Sequence, residues 1–182
     1  EWAGEIKLEP PPRYSSGSNG QAERTIQTVR KQHVTLKSAI EDAYGVKLTD
    51  VMNVWPWVMR HSAWLIARFG VKSTGKSAFQ ELHETVYRSE ILPVAETVLW
   101  RIPLSEARRT MKGKRLMKGE TAWRRGIWLG RTDESDEHLV GDETGVYTCR
   151  SLKRLEKSKA HDKELLLGFI GVPWDLKGGA LG

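Results

Sequence analysis

One carboxylate stands at the head of a basic, amide-bearing track. Glu23 is followed at helical spacing by Gln27, Arg30 and Lys37, with Arg24 and Lys31 close by. Alone, such a carboxylate complements the positive end of a helix, and the cations beside it solvate a surface face. A second candidate is Gly70-Val-Lys-Ser-Thr-Gly75-Lys76-Ser77, which satisfies G-x4-G-K-[ST], the loop whose backbone N–H groups and Lys cradle nucleotide phosphates. That chemistry needs a buried strand before the loop, a helix after it and a further strand ending in Asp. Only the helix is evident in the pattern. A third candidate is electrostatic. Residues 101–131 hold Arg101, Arg108, Arg109, Lys112, Lys114, Arg115, Lys118, Arg124, Arg125 and Arg131 against only Glu106 and Glu120. A cationic run of this density attracts a polyanion or an acidic surface. The six acids of 132–145 follow with no Lys or Arg among them, so they are the run's internal rival.

The elements that must position these groups can be read from periodicity. Ser18-x-x-Gln21 fits a capping box, which starts a helix near Asn19, and Gly45 ends it. Ala22, Ile26, Val29, His33, Leu36, Ile40 and Ala43 form its expected buried stripe. Ahead of it, Pro10-Pro11-Pro12 favours an extended loop. Thr49-Asp50 can cap a second helix to about Phe69, with Met52, Trp55, Met59, Ser62, Ile66 and Phe69 along one face and Pro56 kinking or splitting it. Trp55, Trp57 and Trp64 interleave with aliphatics and are expected in the core. Ser77 can cap a short helix to about Val86.

From Glu90 the pattern turns to strands: Glu96–Leu104, Ala122–Arg131, His138–Val140 and Val146–Leu155, with Asp142-Glu143-Thr144-Gly145 as a turn. These predict a small antiparallel β unit after a boundary near Ser89–Pro93. The tail from Lys157 is ambiguous. The fold class is therefore α+β, with residues 1–89 helical, 90–156 a basic β unit and 157–182 a tail.

Composition narrows the functional classes. A formal net charge of +6 across 182 residues favours an acidic partner. Cys149 is the sole cysteine, which excludes an intrachain disulfide and a zinc site built on paired cysteines, and suits a reducing compartment. The longest apolar run, Leu165–Trp174, is about half of what a membrane span needs. With Glu at position 1 and the first Met at 52, the chain reads as part of a longer product.

Tyr14-x3-Ser18-x-Gly20-x2-Glu23, above all Ser18-Asn19-Gly20-Gln21-Ala22-Glu23-Arg24, resembles the segment around the third acidic residue of retroviral and retrotransposon integrases. Gly126-Ile127-Trp128-Leu129-Gly130-Arg131-Thr132, followed by a hairpin and Arg150-Ser151-Leu152-Lys153-Arg154, resembles the small barrel after the catalytic core in copia- or gypsy-like polyproteins. Thr74-Gly75-Lys76-Ser77-Ala78-Phe79 resembles a loop joining the core's last helices. The resemblance implies the helical end of an RNase H-like core followed by a small SH3-like β barrel. It also implies Glu23 as one of three carboxylates that hold Mg2+ or Mn2+ for phosphoryl transfer to DNA. No Asp occurs before Asp42, so the two partner Asp residues are not in this chain and no metal is expected to be held by it alone. What the resemblance leaves is DNA binding in support of integration. Arg24, Gln27, Arg30 and Lys31 would face DNA ends, and Arg108, Arg109, Lys112, Lys114, Arg115, Arg124 and Arg125 would meet phosphates. The setting would be nuclear or cytoplasmic, with DNA, a second copy or other polyprotein parts as partners and no membrane. The rival readings are a nucleotide-binding NTPase on Gly70–Ser77 and a noncatalytic protein-interaction module.

Overall fold

The computed structural model describes residues 20–102 and 123–177. The first helix, α1, spans Gly20–Tyr44 and stops where Gly45 takes φ 62°, a left-handed conformation that glycine adopts without a Cβ penalty. Only its second half lies against the fold: His33, Ile40 and Tyr44 are buried and Leu36 partly so, whereas Ala22 and Ile26 of the expected buried stripe stand in solvent. The stripe is continuous in sequence but half covered in space.

Helix α2 covers Val54–Phe69, starting later than Thr49-Asp50 suggests. Thr49 accepts a turn bond from the Met52 N–H, and Asn53 precedes the helix with its side chain spent elsewhere, donating to the Phe169 carbonyl at 2.8 Å. Pro56 is the third helical residue, where the N–H it lacks would have had no intrahelical acceptor, so it neither kinks nor splits the helix. The buried positions are Val54, Trp57, Val58, His61, Ser62 and Trp64, a face rotated from the one expected. The reason is that α2 packs against both α1 and the sheet, so Met52 and Trp55 are partly buried beside the core. Trp57 and Trp64 are core as expected, and Trp55 meets His33 edge-on at 4.6 Å. Ser77 caps α3 (Ala78–His83) in a reciprocal box with Gln80, and the helix ends at Glu84, short of Val86.

Five strands follow: β1 (Thr97–Arg101), β2 (Trp123–Arg131), β3 (His138–Asp142), β4 (Gly145–Cys149) and β5 (Leu152–Arg154). The expected strand Val146–Leu155 is broken at Arg150-Ser151, and the expected turn separates β3 from β4. All pairings are antiparallel, in the order β4-β3-β2-β1-β5. This corrects the barrel expectation: the sheet is open, with β4 and β5 as its edges. It curls, because Trp100 of β1 and Tyr147 of β4 stack at 5.1 Å across its inner face although two strands lie between them. That inner face is filled by Val98, Trp100, Trp128, Val140 and Cys149. The other face receives the helices: Ile40, Trp57 and Val58 meet Ile127, Leu129, Leu139 and Val146.

The segment after β5 belongs to this core. A 3-10 turn at Lys157–Lys159 leads to α4 (Lys163–Gly168), and Leu166 and Phe169 join the same apolar cluster as the residues before Ser89. The Val146 N–H bonds to the Leu176 carbonyl, so the segment around Leu176 covers part of the β4 edge, which would otherwise offer unpaired backbone groups.

Candidate nucleic-acid interface

Side chains opposite one another in an antiparallel pair share a face, and alternate residues of a strand do too. The register sets Leu99 opposite both Arg125 and Lys153, and Arg101 opposite Trp123. Leu99, Arg101, Trp123, Arg125 and Lys153 therefore share the face that the helices cover further along, at Thr97 and Ile127. Arg101, Arg125 and Lys153 are exposed there. Lys153 Nζ lies 4.5 Å from the Trp123 ring centre, a cation–π contact that couples the two side chains. Arg125 is partly committed to Asp162 at 3.1 Å, the carboxylate that also caps α4. Arg101 has no ion-pair partner among the described residues.

The chain leaves this patch at Ile102 and returns to it at Trp123. Arg108, Arg109, Lys112, Lys114 and Arg115 fall in the intervening segment, outside the described residues. Their connection is anchored at both ends on the basic end of the sheet. Arg124 is half buried, on the opposite face of β2, opposite Trp100. Arg131 departs from expectation: it is buried, donates to the Glu90 carbonyl at 2.8 and 3.1 Å and meets Asp136, so it holds the fold rather than a phosphate.

Four of the six acids of 132–145 are engaged by other side chains or by their own turn. Asp133 pairs with Arg60 at 2.7 Å and Arg68 at 3.5 Å, both on α2. Asp136 accepts from Tyr87 and Ser89 as well as Arg131. Glu137 pairs with Arg150, and Asp142 closes its own turn on Thr144. Among the described residues none of these acids forms an ion pair with Arg101, Arg125 or Lys153, although Glu137 lines the same groove as Arg101. Tyr87 is held protonated by burial and by its bond to Asp136, its pKa pushed up to about 12.

On α1, Glu23, Arg24, Gln27, Arg30 and Lys31 are all exposed, along the half of the helix that projects beyond α2. Lys37, further on, is tied to Glu41 at 2.7 Å. Among the described residues no three His, Cys, Asp or Glu side chains gather as a bound metal would require, and Glu23 has Gln27 rather than a second carboxylate one turn on. The donors described do not make a two-metal site.

Gly70–Ser77 joins α2 to α3, so a helix, not a strand, precedes it. Its backbone is turned inward: Lys72 N–H donates to the Lys76 carbonyl and Gly75 N–H to that of Lys72. Lys72 and Thr74 both bind Glu81, which draws that carboxyl below its ordinary pKa. These are the bonds of a loop that folds on itself.

Trp123 and Lys153 were not singled out from sequence as site residues. The signal that could have found them is cross-strand register, which requires the β1–β5 pairing to be known. In comparisons with known proteins, no family model matches the chain, and no curated protein or solved structure matches it.

Proposed function

We propose that this chain binds nucleic acid through its phosphate backbone, using the basic end of the sheet and the cationic connection that springs from it. The carrying observation is the register that gathers Arg101, Arg125, Lys153 and Trp123 on one face, where the 103–122 segment begins and ends. Arginine and lysine meet phosphate oxygens without reading sequence, and an indole beside them offers a stacking surface. The engagement of Asp133 by α2 and of Asp136 by Tyr87 and Ser89 supports the reading, because it keeps those two acids off the patch.

In the fuller form of this proposal the chain is part of an integrase-like protein. The exposed first half of α1 then presents Arg24, Gln27, Arg30 and Lys31 to DNA, and Glu23 completes a metal site only with Asp residues supplied from outside residues 1–182.

The test is fluorescence anisotropy on a labelled duplex over a range of salt. If about five phosphates are contacted, log K falls against log salt with a slope near −4.5. Arg125→Gln with Lys153→Gln should flatten that slope by roughly two. A slope near zero, or a double variant that binds as the parent does, would sink the proposal.

A further inference from the structure

A groove of about 430 Å³ lies where the end of β4 and its link to β5 pass the end of β1. Its position follows from one backbone bond, Arg101 N–H to the Ser151 carbonyl at 3.1 Å, which brings the two segments together as the sheet curls. Arg101, Arg150, Thr148 and Ser151 line it with donors, Glu137 contributes the one carboxylate, and Cys149 and Ile102 form an apolar floor. Burial pushes the Cys149 thiol up to about 11, so the floor is neutral and does not repel an anion.

The donors are uncommitted in a particular way. Neither Arg101 nor the Thr148 and Ser151 hydroxyls have a side-chain partner among the described residues. Arg150 gives only Nε to Glu137 Oε1, at 2.7 Å, which fixes the guanidinium while leaving both terminal nitrogens able to donate. Two guanidinium forks and two hydroxyls offer more donors than a carboxylate has oxygens to accept, but match a tetrahedral anion. The groove is also much larger than one phosphate, which leaves room for the sugars on either side.

We infer that this groove is a phosphate subsite for a sugar–phosphate strand, in which Arg101 and Arg150 grip one phosphate and Glu137 tempers their charge. The inference deepens the nucleic-acid reading and rests on it for the strand, though the phosphate chemistry stands by itself. Glu137→Gln gives an unusual sign. The glutamine can still accept from Arg150 Nε and so keep the fork in place, while a negative charge leaves the groove.

The full chain is titrated with inorganic phosphate while the Nε–Hε signals of Arg101 and Arg150 are followed by NMR, and in parallel with a duplex by anisotropy. Both arginine signals should move together and saturate in phosphate. Glu137→Gln should tighten phosphate and duplex by about threefold to tenfold, an electrostatic gain expected of one removed charge near a surface. Arg101→Gln and Arg150→Gln should each lessen the salt slope of duplex binding by about one, and Arg150→Lys should restore the slope without the full affinity. Arginine signals that stay still in both parent and Glu137→Gln chains, or Glu137→Gln binding no tighter, would overturn the groove. Duplex binding that survives both arginine changes would do so while leaving the wider reading intact. Phosphate saturation without any duplex binding would keep the groove and remove the strand.

Discussion

His61 sits at the joint between α2 and the sheet, 1% exposed, stacked on Trp64 at 5.5 Å and edge-on to Trp128 at 5.3 Å. Its Nδ1 is buried without a hydrogen-bond partner, and burial, with the Arg60 charge adding, lowers its pKa from 6.5 to about 4. His138, which accepts from the Trp128 indole at 3.1 Å, is lowered to about 4 as well, by burial first and then by Arg131. The unfolded chain therefore binds these protons before the folded one does. The stability the neutral rings confer is whole above pH 6.5 and is lost as pH falls through to about 4, with His61 alone accounting for about 3 kcal/mol as an upper figure. Urea midpoints at pH 7 and pH 5 should show the loss, and His61→Phe, which keeps a ring, should flatten it. A midpoint that ignores this pH window in the parent would refute the account. His61 and Arg131 also mark what single residues do not disclose. Each is an ordinary polar position in sequence, and only the packing of α2 on β2 makes one a buried neutral ring and the other an internal tie to Glu90. Glu23 differs: its place in the first turn of α1 was legible, since helical spacing is local, while the Ser18 capping box lies outside the described residues.

At the scale of elements, local chemistry was again the readable part. The Ser77 cap, the Gly45 stop and the Asp142–Gly145 turn all follow from short-range bonds and appear where the sequence puts them. The buried face of α2 was misread because a helix between two layers has no single apolar stripe. The sheet's closure was misread because strand content does not fix which edges meet. The bulge in β2 has a reason of the same kind: register slips between Trp128 and Gly130, and Gly130 takes φ 123° with His61 Nδ1 only 3.1 Å from where a Cβ would stand. The Gly70–Ser77 loop yields a prediction at this scale. Its reciprocal cap should make Ser77→Ala cost about 1 kcal/mol of stability in a thermal or urea melt. Its position after a helix, with amides turned inward, should leave the chain without measurable ATP or GTP affinity by calorimetry in magnesium. Binding tighter than about 100 µM that vanished in Lys76→Ala would instead revive the nucleotide reading.

For the whole molecule the question is where the positive field goes. Ten cations within residues 101–131 repel one another, and the six acids that follow were positioned in sequence to neutralise them. The fold sends the first of those acids another way, because the loop after β2 brings Asp133 to Arg60 and Arg68 on α2 rather than to the far end of the β1–β2 pair. Part of the charge separation is thus a consequence of topology: Asp133 lies beside α2 at one end of β2, while Arg101, Arg125 and Lys153 gather at the other. Two sets of variants tell this from local neutralisation. Changing Arg108, Arg109, Lys112 and Lys114 to Gln should flatten the salt slope for duplex binding by about three to four, while Arg30→Gln with Lys31→Gln removes about two at most. Changing Asp133 and Glu134 to their amides should leave the slope as it is and instead lower the melting temperature, because Asp133 ties Arg60 and Arg68. A steeper slope in that acid-loop variant would mean that the acids had been screening the cationic connection after all, and that the two ends of β2 communicate through it.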